Sequence, residues 1–348
     1  MSRYPYLPVL ELRRGEAVES VHFGAFVIVN SHGELVASYG DPDLVTFLRS
    51  SAKPFQALPF IESGGHERWN LTPREIAILC ASHTGTDEHV SVLQEIQGKI
   101  EVTQADLLCG IHAPIDAPTR EALRERGEEP TPNRHNCSGK HTGMLAHARL
   151  FNFPIADYIN PEHPVQKRIL QTFSEMCDVN IEDIVIGIDG CSAPVFAIPL
   201  RNAALGYARL CDPVELAPER AAACRTITNA MSTHPEMVAG PGKFDTRLMT
   251  AANGKIVSKG GAEGYQQIGV LPGAMAPDSP GLGIAIKISD GDSRSRARPA
   301  VVLELLRQLG AITPQELEEL ADLGPTFEIR NYRNWLVGKA CPVFALVR

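Results

Sequence analysis

A serine and a lysine stand three positions apart in Ser50-Ser51-Ala52-Lys53, with Pro54 next. Proline is tolerated in the first turn of a helix and not in its interior, so Ser50 is expected at a helix N-terminus. There the spacing puts its hydroxyl and the Lys53 amine on one face, about one turn apart. A serine hydroxyl is a poor nucleophile at neutral pH. A lysine that is partly desolvated, or crowded by another cation, can be neutral enough to take its proton. The spacing is common by chance, and the plain alternative is a solvated helix start, so the pair gains meaning only in company.

Company stands further along the chain. Lys259-Gly260-Gly261 follows a short β-rich run and resembles the Lys-Thr-Gly strand motif of penicillin-recognising serine enzymes, where small residues let a substrate lie along a strand edge. Taken alone, Lys259 would be a surface lysine beside a Gly-Gly hinge. Ser82 directly follows a helix opened by Thr72-Pro73-Arg74-Glu75, a capping box with proline in the first position. Two Ser/Lys pairs result, Ser50 with Lys53 and Ser82 with Lys259, and two cations held close would depress each other's pKa.

Two further clusters are polar. Residues 135–143 read His-Asn-Cys-Ser-Gly-Lys-His-Thr-Gly, a loop feeding a helix, and Asp189-Gly190-Cys191 ends a strand. Two thiolates suit zinc, but Cys137 and Cys191 lack the spacing of a four-cysteine structural site. Any metal would need an unusual third ligand and water. A phosphate loop is excluded at Gly139-Lys140-His141-Thr142 because position 134, where the earlier glycine should stand, is Arg.

The elements that must carry these residues follow from periodicity. Strand patterns at 18–30 and 34–39 flank the turn residues Asn30-Ser31-His32-Gly33 and predict a β-hairpin. Helical periodicity runs through 87–100, 119–126, 143–151, 163–177 and 218–231. Strand signals return at 184–188, 255–258, 267–271 and 283–289, and helices are expected over 299–309 and after Thr313-Pro314-Gln315-Glu316. No internal repeat or low-complexity linker divides the chain. The expected fold is α/β, an antiparallel sheet built from both chain ends (roughly 1–65 and 235–348) with a mainly helical lobe, roughly 66–234, inserted.

Composition bounds the function. The 348 residues carry 33 Lys+Arg against 41 Asp+Glu, a net charge of −8, which argues against a nucleic-acid groove. With 44% hydrophobic and 21% charged residues the chain is an ordinary globular one. No apolar run approaches the roughly 18 residues of a membrane span, and the N-terminus lacks an apolar signal core, so a soluble cytoplasmic protein is expected. Eight scattered cysteines fit reduced thiols.

Five segments together resemble the rhizobial-type L-asparaginase family, the thermolabile or class 3 asparaginases. They are Leu48-Arg49-Ser50-Ser51-Ala52-Lys53-Pro54, Cys80-Ala81-Ser82-His83, His135-Asn136-Cys137-Ser138-Gly139-Lys140-His141, Asp189-Gly190-Cys191 and Lys259-Gly260-Gly261-Ala262-Glu263-Gly264. They occur in the family's order and span most of the chain. The resemblance implies a fold similar to serine β-lactamases and glutaminases, and hydrolysis of L-asparagine to L-aspartate and ammonia. It implies Ser50 as nucleophile, Lys53 as its base, and Ser82 with Lys259 as a proton-relaying tandem. Cys137, Lys140 and Cys191 match zinc ligands, with water completing a shell that organises the substrate and is not strictly essential. Arg49, His83, Asn136, Lys140 and Asp189 fall at the substrate, and homodimers are implied. Alternatives are a glutaminase, a β-lactam-type serine hydrolase, and a non-catalytic zinc-thiolate ligand-binding protein.

Overall fold

The two ends of the chain meet in one antiparallel sheet, in a computed structural model that describes residues 5–346. Its strands are β1 (Leu7–Arg14), β2 (Ala17–Asn30), β3 (Leu35–Tyr39), β4 (Ile256–Gly261), β5 (Tyr265–Val270), β6 (Leu282–Ile288), β7 (Phe327–Arg330) and β8 (Leu336–Pro342). The order is β7-β8-β1-β2-β6-β5-β4, with β3 also paired to β2. N-terminal β1 lies against C-terminal β8 in the register Leu10↔Pro342 and Leu12↔Ala340. These strands belong to a unit formed by residues up to Leu48, Ile198–Asp212, and the chain from Arg247 onward.

Successive residues Phe26, Val27 and Ile28 of β2 are all buried, as are Ile284, Ala285 and Ile286 of β6, so both faces of the sheet centre are covered. The helix Leu200–Cys211 packs on β6, β2 and β5, and the helix Ala297–Leu309 packs on β1, β6 and β8. Gly283 makes the first packing possible. A Cβ there would sit 1.8 Å from the Ala204 carbonyl oxygen, so no side chain fits under the helix.

The expected 18–30/34–39 hairpin is β2 with β3, and the expected strands 255–258, 267–271 and 283–289 are β4, β5 and β6 within a few residues. Among the elements that lie outside the expectations are β1, β7, β8 and the helix Leu200–Cys211. In β1 the pattern is broken by Pro8, which the sheet accommodates at a register shift between Pro8 and Leu10. The Lys-Gly-Gly run lies on β4, the last strand in the order.

The second unit comprises 49–197 and 213–246. It holds α1 (Lys53–Glu62), α2 (Pro73–Leu79), α3 (Asp87–Lys99), α4 (Ala117–Arg126), α5 (Ser138–Leu150), α6 (Pro164–Cys177) and α7 (Pro218–Thr233). Lys53 through Ile61 are buried along the whole of α1, which packs on α5, α6 and α7. Arg220 of α7 ties this bundle together, reaching Glu62 at 2.8 Å and Glu175 at 3.0 Å. The Thr72 capping box opens α2 as expected.

A short hairpin, Val185–Ile188 against 194–197, ends in a turn where the Asp189 N–H donates to Ala193 O at 2.9 Å. That turn presents Asp189 and Cys191. No helix among the described residues is long and apolar enough to cross a membrane.

Candidate functional site

Arg49-Ser50-Ser51-Ala52 forms a tight 3-10 turn that runs directly into α1, with Pro54 in its first turn. Arg49 adopts φ 49°, a left-handed conformation. Ser50 is half-buried, whereas Lys53 is completely buried. The Lys53 Nζ donates to the Ala81 carbonyl, to Ser82 Oγ at 2.9 Å and toward the Asn136 carbonyl at 3.4 Å. Ser82 is half-buried on the segment after α2 and is fixed by its own N–H, which donates to Val238 O at 2.8 Å.

The structure thus brings Lys53 to Ser82, the serine that the sequence paired with Lys259. Lys259 belongs to the sheet unit, where it is buried on β4 opposite Gln267 and donates to the Gly260 carbonyl at 2.8 Å. An amine that meets two backbone carbonyls and one serine hydroxyl has its remaining valence aimed. All three contacts are donated by Nζ, and among the described residues no hydrogen bond joins Lys53 to Ser50.

The polar run 135–143 is more helical than expected. α5 begins at Ser138, so Lys140 and His141 stand on a helix and not on a loop, and Cys137 is its N-cap. Two glycines in six residues obscured this start, because glycine lowers helix propensity. Packing explains the first of them. A Cβ on Gly139 would lie 2.0 Å from Ile78 O of α2. His83 braces the same helix end, with its Nε2 2.8 Å from Ser138 Oγ, while its Nδ1 accepts the Gly85 N–H at 3.1 Å. His83 is therefore buried with both ring nitrogens engaged by the protein.

Lys140 and Cys191, 51 residues apart, meet at 3.0 Å from Nζ to Sγ. Cys137, Lys140 and Cys191 are all buried. A hydrogen bond from Cys191, outweighing burial, and then the nearby lysine charges hold the Cys137 thiol well below its ordinary pKa. The Cys191 thiol is correspondingly pushed up, first by that bond and then by burial. Burial works against the Lys140 charge, but the thiols at Cys137 and Cys191 outweigh it and raise its pKa. The three side chains form one group at a helix N-terminus, in which the proton is drawn away from Cys137 and toward Cys191 and Lys140. Among the described residues no three or more His, Cys, Asp or Glu side chains gather as a metal cluster. This group contributes two sulfurs and an amine. A divalent cation would displace the Cys191 and Lys140 protons that now hold the three side chains together, so the donor set fits a thiophilic metal.

Asp189 receives Arg49, whose Nε and Nη2 reach Oδ1 at 2.7 and 2.6 Å, and the Gly190 N–H at 2.8 Å. Asn136 is half-buried beside Lys53. One residue here escaped the sequence reading. His112, on the loop before α4, accepts the Asn136 N–H at Nε2, 3.0 Å away. No pattern at Gly110-Ile111-His112-Ala113-Pro114 marks it.

The L-asparaginase II family model matches residues 10–341. No curated protein matches the chain. Among solved structures it is similar to a probable glutaminase from Bacillus subtilis complexed with 6-diazo-5-oxo-L-norleucine, at 13% identity over 83% of this chain and 85% of that one, TM-score 0.39. It is also similar to Mglu in its native form, at 11% identity over 82% of this chain and 64% of that one, TM-score 0.41. Likeness at this level says nothing about which amide the chain acts on.

Proposed function

This chain belongs to the L-asparaginase II family, and on that premise we propose that it is an L-asparagine amidohydrolase working by serine-lysine catalysis. The family makes it an amidohydrolase. The observation that carries the finer reading is the buried Lys53 amine held between two carbonyls and Ser82 Oγ at 2.9 Å. In this mechanism the neutral amine accepts the Ser50 proton, and Ser50 Oγ attacks the side-chain amide carbon. Backbone N–H groups at the start of α1 take the oxyanion. The proton passes from Lys53 through Ser82 to the departing nitrogen, which leaves as ammonia, and water cleaves the aspartyl ester. Lys259 is proposed to serve the same proton transfers.

Cys137, Lys140 and Cys191 are proposed to hold zinc. Bound there, the metal would supply positive charge that orients the substrate's α-carboxylate and α-amino groups. The half-buried Arg49, Asp189 and Asn136 are proposed to border that end of the substrate, with His83 supporting from beneath. A cytoplasmic homodimer is proposed in keeping with the family resemblance. Equilibrium sedimentation of the purified chain tests the dimer.

The decisive assay measures ammonia released from L-asparagine and L-glutamine, with wild type and Ser50→Ala side by side. Asparagine-selective release that disappears in the variant supports the reading. Release from glutamine alone turns it into a glutaminase, and binding of asparagine without release turns it into a binding protein. One methylene is worth only about 1–3 kcal/mol of discrimination, so glutamine should be a slow substrate and not an inert one.

A further inference from the structure

We propose that His112 is a positioning residue for the Lys53 base, acting through the backbone of Asn136; the inference rests on the reading of Lys53 given above. The ring sits on the loop before α4, half-buried, and its Nδ1 lies 2.7 Å from the Ala113 carbonyl oxygen. A carbonyl can only accept, so Nδ1 carries the hydrogen and Nε2 is left as an acceptor. That acceptor takes the Asn136 N–H at 3.0 Å, whereas the Asn136 Oδ1, itself only an acceptor, lies 3.3 Å from the same nitrogen and adds no hydrogen bond to it.

A second histidine completes the arrangement. His135 Nδ1 accepts the Cys137 N–H at 3.0 Å, and the two imidazole rings lie 4.3 Å apart between centroids. Two successive peptide planes are thereby fixed. His112 holds the plane between residues 135 and 136, and His135 holds the plane between 136 and 137. The carbonyl of that second plane is the Asn136 oxygen that faces Lys53 Nζ at 3.4 Å.

The consequence for Lys53 is directional. The Ala81 carbonyl alone would leave Nζ free to turn about its last bond. A second carbonyl at Asn136 removes that freedom and leaves Ser82 Oγ as the partner of the remaining position. An amine whose direction is set before the substrate arrives loses less rate to misalignment, and displacements near 1 Å can cost about a hundredfold. Among the described residues His112 has no hydrogen bond to Lys53 or Ser82, so its effect passes through the Asn136 backbone, whose N–H it holds.

The test compares His112→Ala with His112→Gln, whose amide oxygen can stand in for Nε2 as an acceptor. His112→Ala should lower kcat for asparagine by about 10- to 100-fold with KM changed less than about threefold, and His112→Gln should restore most of it. Thermal midpoints of the two variants should agree with wild type within a few degrees. Crystal structures supply the readout that does not need turnover: the Asn136 carbonyl should swing away from Lys53 Nζ in His112→Ala and return in His112→Gln. An unmoved carbonyl in His112→Ala, or a kcat equal to wild type in an active enzyme, overturns the proposal. So does an equal loss in both variants. A wild-type protein that releases no ammonia sinks the asparaginase reading instead, while the carbonyl position still decides whether His112 sets it.

Discussion

Arg49 and Asp189 lie 140 positions apart in the chain and meet through two guanidinium nitrogens on a single carboxylate oxygen, at 2.6 and 2.7 Å. The Arg49 side chain is 30% exposed and that of Asp189 only 9%, so the pair is partly shielded from water. It holds the left-handed residue that precedes Ser50, a conformation costing about 1 kcal/mol for a residue with a Cβ. Removing either partner should therefore loosen the turn that carries the nucleophile. Arg49→Ala and Asp189→Ala are each expected to lower kcat/KM by about tenfold or more. The double variant should be little worse than the poorer single one, because residues acting as a unit are not additive. A double-mutant cycle on asparagine hydrolysis measures this, and fully additive losses would separate the two roles.

Lys53 and Ser82 offer a sharper contrast. Lys53→Met should abolish detectable turnover, because general-base catalysis and nucleophile activation are lost together, about 10³-fold or more. Ser82→Ala removes one of the three Nζ partners while leaving the amine in place, and a smaller fall of about 10- to 100-fold in kcat is expected. Single-turnover ammonia release distinguishes them. Equal residual rates would mean that Ser82, and not Ser50, depends directly on the amine.

Zinc removal checks the metal proposal. Chelation, confirmed by metal analysis, is expected to raise KM for asparagine by about tenfold while kcat falls by less than about threefold, the signature of lost ground-state binding. Cys191→Ser should give the same split. A collapse of kcat matching Lys53→Met would instead make the metal part of the bond-breaking step.

Acid stability should depend on buried imidazoles. Burial, and then the charges of Arg168 and His163, hold His147 down at about 3, and neither of its ring nitrogens has a hydrogen-bond partner among the described residues. In the unfolded chain a histidine titrates near 6.5, so between those values the unfolded state takes up a proton that the folded one refuses. Stability is full above about pH 6.5 and falls as pH drops toward about 3, by up to ~1.4 kcal/mol per pH unit for this one group. His83 and His141, lowered chiefly by burial, act with the same sign. His147→Leu should flatten the acid limb of urea-melt stability by about one proton. An unchanged slope would place the acid sensitivity elsewhere.

Gly139 should tolerate nothing larger. Gly139→Ala would place a Cβ 2.0 Å from Ile78 O, and α2 and α5 can separate only by disturbing Ser82 and Lys140 together. About 2–4 kcal/mol of destabilisation is expected from denaturant melts, more than the usual helix preference for alanine could offset.

The sequence made the sheet and the helix starts legible where a local rule operates. Thr72 and Thr313 announce their capping boxes, and both are formed. The Asn30–Gly33 turn announces the β2–β3 hairpin. What stayed hidden depends on partners distant in sequence. β8 joins the rest of the sheet by pairing with β1 from the far end of the chain, and Gly139 reads as a helix breaker until Ile78 is seen against it. At the site, residue types and spacing singled out Ser50, Lys53, Ser82 and Cys137. They could not show that Lys53 reaches Ser82, nor that His112 holds Asn136, since both contacts join segments that no local pattern connects.

The pairing of Leu10 with Pro342 also bears on how the molecule is made. During synthesis β1 and β2 emerge early, yet β1 keeps one edge open until Leu336–Pro342 has followed it out of the ribosome. The helical unit, which draws only on residues 49–197 and 213–246, can close before that. Nascent chains arrested short of β8 should therefore hold a folded helical bundle beside an exposed strand, the form most exposed to chaperones and to aggregation.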